Sequence, residues 1–429
     1  VDGADLLEVL REHAVRHAVP GAALGVIRGG VATTACYGVA DVTTGDAVTD
    51  STRFSVGSLT KSMVATVIAG LAQAGRVSLG DHVISHVPEL RASGWAGGAT
   101  VADLLANQSR LPLYDGLEFG FADRMDQDDG ALSRLVADAA AGGPAEDCWS
   151  YTNVGWCVLG RVIETAAGAP WEEAMRRYLF DKAGMGETTF VTADASTPRV
   201  RGHDVTADSP VPVEPLTARA YGPAGTTAIT TVTDLLRFAA LHLQDPSLAS
   251  LRAVHAEVSI CGWLDSWCLG WARFDWEDGP VWGWDALVPG ERSVLRIVPE
   301  KQLAVVLMTN SNTGRAMHRS LFTDLMPSLC GIAVPSLHLD PSPGAAGELS
   351  RYAGIYAWPD RQMKVTATSD GLLIDREGGQ TEALPLGERT FVVDAADPDN
   401  PAVTFGAFDT SGRPHVLYDM LWGLPRSHE

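Results

Sequence analysis

The feature that most constrains this chain is a pair of strand-like blocks far apart in sequence, one near residue 25 and one near residue 300. Near the start, Ala22-Ala23-Leu24-Gly25-Val26-Ile27 is a short apolar run closed by Arg28-Gly29-Gly30. A second strand follows over Val31 to Val39. Far downstream, Val294-Leu295-Arg296-Ile297-Val298 and Leu303-Ala304-Val305-Val306-Leu307 flank the turn Pro299-Glu300-Lys301. Apolar runs this short, bounded by turn residues, predict buried strands. The stretch between the blocks, roughly 100 to 250, carries the helical period instead, as in Val154 to Ala167 and Thr233 to Leu243. One sheet built from both sequence ends, with helices packed on it, buries all of these faces.

Beyond the second block, the Pro- and Gly-rich segment 335–347 predicts a linker. It is followed by short strands at Tyr352 to Tyr356, Met363 to Thr368, Leu372 to Ile374, Phe391 to Val393, Val403 to Phe408 and Val416 to Tyr418. Turn residues such as Asp370-Gly371 and Ser411-Gly412 separate them, which predicts a small antiparallel β domain closing into a partial barrel. The expected organisation is a large α/β (α+β) domain over 1–334, a linker over 335–347 and a β domain over 348–429, in keeping with a chain of 429 residues.

Charge narrows the partners. With 53 acidic against 32 basic residues, a formal charge of −21 repels phosphate backbones and anionic lipid, so neither nucleic acid nor a membrane is an expected partner. Apolar stretches such as Met63 to Ala72 are far shorter than the roughly 20 residues that cross a bilayer. The opening residues read as an amphipathic helix rather than as a signal core, so the expected location is cytoplasmic. The six cysteines, 36, 148, 157, 261, 268 and 330, lack the close pairs of a zinc site and are expected as buried free thiols. His82 and His86 are spaced i, i+4 without a third ligand, so no metal and no cofactor is expected.

Lysine occurs only at 61, 182, 301 and 364, and the first lies three residues after a serine in Ser58-Leu59-Thr60-Lys61. On a helix, i and i+3 side chains share a face, so the Lys61 amine can reach the Ser58 hydroxyl. A serine hydroxyl is a weak nucleophile until a neighbouring base takes its proton. The apolar Met63-Val64-Ala65 that follows predicts a buried lysine, a costly placement that points to function rather than to a capping serine beside a solvated lysine. Tyr151-Thr152-Asn153 interrupts an apolar segment just before a helix. Alone it reads equally as an Asn cap beside a packed tyrosine. A phenol beside an ammonium is a second route to a general base at neutral pH.

Together, Phe54-Ser55-Val56-Gly57-Ser58-Leu59-Thr60-Lys61 and Tyr151-Thr152-Asn153 resemble the class C β-lactamase-like and penicillin-binding-protein-like family. Val101-Ala102-Asp103-Leu104-Leu105 and Thr231-Val232-Thr233-Asp234-Leu235 extend the resemblance over roughly residues 5 to 330. The β tail resembles the lipocalin-like domain of some members. The resemblance implies an antiparallel sheet with helical layers, an acyl-enzyme on Ser58, and a proton exchanged by Lys61 and Tyr151. It implies further that Asn153 orients substrate and lysine, and that an oxyanion hole uses the backbone N–H groups of Ser58 and Leu287. The chain departs from the family at Trp284-Asp285-Ala286, where relatives carry Lys-Thr-Gly or His-x-Gly. With the cationic or imidazole group gone, Trp284 and Asp285 are expected to line a substrate site turned from carboxylates toward neutral, bulkier acyl groups.

Three functions follow from the resemblance. The first is a transacylase moving an acyl group from a small-molecule or peptidyl ester or thioester donor to an amine acceptor, as in antibiotic or peptide natural-product biosynthesis. It is supported by similarity around Trp149 to Leu159 and Leu295 to Asn312 to capuramycin-type transacylases and peptide-cyclising penicillin-binding-protein-type thioesterases. The second is a carboxylesterase or D-specific amidase. The third is an inactive penicillin-binding-like receptor, which would not need Ser58, Lys61, Tyr151 and Asn153 together.

Overall fold

The computed structural model describes residues 2–191, 198–206, 209–342, 344–376 and 378–427. Its main sheet has strands β1 (Gly21–Arg28), β2 (Val31–Gly38), β3 (Ala256–Ile260), β4 (Leu264–Trp267), β5 (Ala272–Trp276), β6 (Gly279–Val288), β7 (Glu291–Val298) and β8 (Leu303–Thr309). They lie antiparallel in the order β2-β1-β8-β7-β6-β5-β4-β3. The two sequence blocks meet at the centre, where Ala22 faces Thr309 and Ile27 faces Ala304. Both strands are apolar without alternation because helices cover them: all of β8, and β1 up to Arg28, are buried. Helix α1 (Gly3–Arg16) packs on β1 and β2, while the helix Val232–Gln244 packs on β1 and β8. The latter comes so close that a Cβ on Gly25 would lie 2.8 Å from Leu236. Glycine there admits the helix.

The hairpins at β3 to β5 escape the sequence reading, which names no strand between Val39 and Val294. β3 does alternate, with Ala256, Val258 and Ile260 buried and Glu257 and Ser259 exposed, but the signal is only five residues long, and its pairing with β4 shifts register between Glu257 and Ile260.

The C-terminal region is an eight-stranded antiparallel sheet in consecutive order from Gly354–Trp358 to Trp422–Pro425. A bridge between Tyr356 and Arg426 brings its first and last strands together, so the barrel is nearly closed. Two of its strands, Gly379–Pro385 and Trp422–Pro425, have no counterpart among the sequence expectations. The first is mostly polar and exposed, and the second is four residues containing Gly and Pro. Neither composition signals a strand. This barrel touches the main body at a defined place: the Tyr151 N–H donates to the Leu421 carbonyl at 3.1 Å, and the Gly423 N–H to the Ser150 hydroxyl at 2.9 Å.

Candidate active site

Helix α2 (Leu59–Gln73) begins immediately after Ser58, whose hydroxyl makes no capping bond. Two glycines let three segments converge on it. Gly57 has φ +54° and would place a Cβ 2.7 Å from the Ala286 Cβ of β6. Gly225 has φ +124° and would place one 2.2 Å from the Gly57 carbonyl. Any other residue at either position would push the Ser58 turn off the strand.

Lys61 is completely buried one turn into α2. Its amine donates to the Ala224 carbonyl at 2.8 Å and to Asn153 Oδ1 at 3.0 Å, and reaches Ser58 Oγ at 3.3 Å. Burial disfavours its charged form and brings its pKa down to about 7, against the opposing pull of Cys157 and Glu118. A neutral amine is therefore present near pH 7 within reach of the Ser58 hydroxyl.

Tyr151 is buried against Trp284, Trp422 and Trp267, with ring centroids 5.4, 5.6 and 5.9 Å away. The Lys61 amine lies 4.7 Å from its ring centre. Burial pushes the phenol well above its ordinary range, while hydrogen bonds from Ser58 and Trp284 pull it back only in part. Burial therefore opposes a phenolate at Tyr151 while it favours a neutral amine at Lys61, which makes the amine the nearer candidate for a base and the phenol a candidate relay.

Asn153 sits at the cap position of helix α3 (Val154–Ala167), yet its side chain caps nothing. It accepts from Lys61 and donates through Nδ2 to the Glu118 carbonyl at 3.1 Å. The reading of Asn153 as a simple helix cap therefore fails.

The residues of β6 divide between its two faces. Trp284 turns toward Tyr151 and donates its indole N–H to the phenol oxygen at 3.2 Å. It also lines the cavity beside Ser58, so it meets both the phenol and the substrate space. Asp285 has its carboxyl engaged by a partner. It points to the other face, where Arg296 pairs with it at 2.6 Å and, with His318 and Arg315, holds its carboxyl well below the usual range. It borders the cavity as an ion pair, not as a free substrate ligand. Leu287 lines the same cavity as Ser58.

That cavity measures about 380 Å³ and has Ser58, Tyr151 and Asn153 at its floor. Its walls are apolar and come from Phe119, Phe121, Leu216 and Val288, together with Met420 and Trp422 of the barrel. Sequence reasoning missed the barrel's share, because nothing in Asp419-Met420-Leu421-Trp422 signals a site 270 residues from Tyr151 in the chain. It also missed Glu118, a lone carboxylate between Leu117 and Phe119.

Elsewhere, the six cysteines are free, two of them buried and four half-buried. His86 pairs with Asp81 at 2.7 Å. Among the described residues no cluster of three metal-ligating side chains occurs, and no helix is long and apolar enough to cross a membrane.

The profile of the β-lactamase family matches residues 6–324. Penicillin-binding protein 4 of Amycolatopsis lactamdurans is 31% identical over 362 residues, covering 79% of this chain and 93% of that protein. The unguisins hydrolase of Aspergillus violaceofuscus is 23% identical over 421 residues, covering 80% of this chain and 72% of its own. The crystal structure of SurE superposes with a TM-score of 0.81 at 26% identity, covering 99% of both chains. The chain belongs to the β-lactamase family, whose members are serine hydrolases and acyltransferases.

Proposed function

We propose that this protein is a serine acyl-enzyme catalyst that moves an acyl group from a neutral ester or thioester to an amine. The observation that carries the reading is the buried Lys61 amine, with a pKa near 7, 3.3 Å from Ser58 Oγ at the floor of an apolar cavity. In the first half-reaction Ser58 Oγ attacks the acyl carbon and its proton passes to Lys61 Nζ. The carbonyl oxygen carries the developing charge toward the backbone N–H groups of Ser58 and Leu287. The alcohol or thiol leaves with a proton relayed through Tyr151, and the acyl group stays on Ser58. In the second half-reaction an amine attacks the ester carbon, returns its proton through the same pair, and leaves as an amide with Ser58 restored.

The largely apolar walls support a bulky neutral acyl group, since the arginine that lines the cavity, Arg292, already pairs with Asp399 at 2.7 Å and leaves a free carboxylate poorly compensated for its lost hydration. Asp285 adds no help, and its partner Arg296 is already committed to it. Likeness to SurE, which has also been solved with D-Leu, supports an amino-acid-derived donor, and the resemblance of Trp149 to Leu159 and Leu295 to Asn312 to biosynthetic members extends this to a peptidyl donor in natural-product biosynthesis. Likeness to the unguisins hydrolase favours a second reading in which water replaces the amine. The two are separated by supplying methyl esters and peptidyl thioesters with and without amines. Transfer predicts amide as the main product at millimolar amine, and free acid as the main product at every amine concentration would leave hydrolysis alone.

A further inference from the structure

Behind the catalytic side chains lies a carboxylate that touches none of the reacting atoms. Glu118 is 1% exposed, and Thr152 Oγ1 donates to its carboxylate at 2.6 Å, the Asn153 N–H at 2.6 Å and the Val154 N–H at 3.3 Å. Its own carbonyl receives Asn153 Nδ2 at 3.1 Å. Both ends of one residue thus grip the segment Thr152-Asn153, and the same Asn153 accepts from Lys61. The next residue, Phe119, packs edge-on against Trp422 at 4.9 Å, and Trp422 in turn packs against Tyr151. Every named partner of the carboxylate is a donor, an arrangement that suits the ionised form. A buried carboxylate is costly, and a chain retains one where it orders something.

We propose that Glu118 is the positioning residue of this site: it locks Tyr151-Thr152-Asn153 onto the start of α3 and supplies the negative charge that Lys61 faces. The inference rests on the acyl-enzyme reading above. The groups facing Lys61 are few. They are the Tyr151 ring, the Cys157 thiol of α3 and Glu118, besides the hydrogen-bonding atoms already given. Burial holds the thiol and the phenol neutral and raises the Glu118 carboxyl as well, while the bonds it accepts from Asn153, Thr152 and Val154 pull it back toward the ionised form that acts on Lys61. That form favours the ammonium and opposes the desolvation that favours the amine.

Charge and position are separable. Glu118→Gln removes the charge, and its amide nitrogen confronts one of the N–H donors. It is expected to lower kcat roughly 10- to 100-fold with KM for a neutral ester changed by less than about three-fold, since Glu118 does not line the cavity. The acid limb of the pH profile should move down by about one unit, because the nearby charge that stabilises the ammonium is gone. Thr152→Val keeps the charge and deletes one bond to it. That variant should lower kcat about 10-fold and leave the limb in place. It also serves as the test should Glu118→Gln fail to fold. Wild-type kcat in a folded Glu118→Gln, or in Thr152→Val when the first is unfolded, overturns the proposal, as does lost activity with an unmoved limb in folded Glu118→Gln. Loss of the acyl adduct on Ser58 in the wild type would instead overturn the reading beneath it.

Discussion

The floor and the walls of the cavity are built in opposite ways. The floor is local: Ser58 and Lys61 stand one helical turn apart on α2, and Tyr151 and Asn153 lie within one tripeptide. The walls gather Phe119, Leu216, Val288, Met420 and Trp422 from four separate stretches of chain, the last two residues from one turn of the barrel. Chemistry that depends on spacing along a helix is thereby separated from recognition that depends on the docking of two β systems.

The largest effect expected is at the floor. Ser58→Ala should reduce turnover by roughly 10⁴-fold or more without loss of fold, because it removes the acyl acceptor at a helix start and opens no core cavity. Lys61→Ala, measured in the same assay, should cost a further class of magnitude less, about 10³-fold, since water can serve weakly as base. In the wild type, kcat/KM should rise with pH through a limb near 7. Below that pH Lys61 is an ammonium that cannot take the Ser58 proton, and above it the amine is free. A limb near the ordinary lysine range would remove Lys61 from the role of base.

How much of this is legible beforehand follows from the same contrast. Ser58, Lys61, Tyr151 and Asn153 announce themselves because polar residues interrupt apolar helices at fixed spacing. The central strands are legible because helices cover them on both sides and leave them continuously apolar. The pairing of Asp285 is hidden, since a strand's alternation turns its carboxyl away from Trp284 and toward Arg296. The sequence cannot display which face of β6 is which. Trp422 and Glu118 are silent for a different reason: their partners are remote in the chain, and each is a lone residue without a repeating neighbour.

Smaller effects sharpen the wall. Trp422→Ala should raise KM for a bulky acyl ester about 10- to 100-fold, and a small acetyl ester should be affected by less than about three-fold. Equal losses for both esters would mean that Trp422 acts on Tyr151 rather than on the substrate. Trp284→Phe keeps the ring and deletes the N–H given to Tyr151, so kcat should fall about 10-fold while KM holds. A change confined to KM would mean that Trp284 acts as cavity wall alone and not through Tyr151.

The central claim, that Ser58 carries the acyl group, is tested most directly by intact-mass measurement of the wild type seconds after mixing with an activated neutral ester, followed by peptide mapping. The account predicts a single acyl addition on the peptide containing Ser58, cleared by an amine acceptor and missing in Ser58→Ala. Turnover of the ester with no adduct on that peptide, or an adduct that persists in Ser58→Ala, would contradict it.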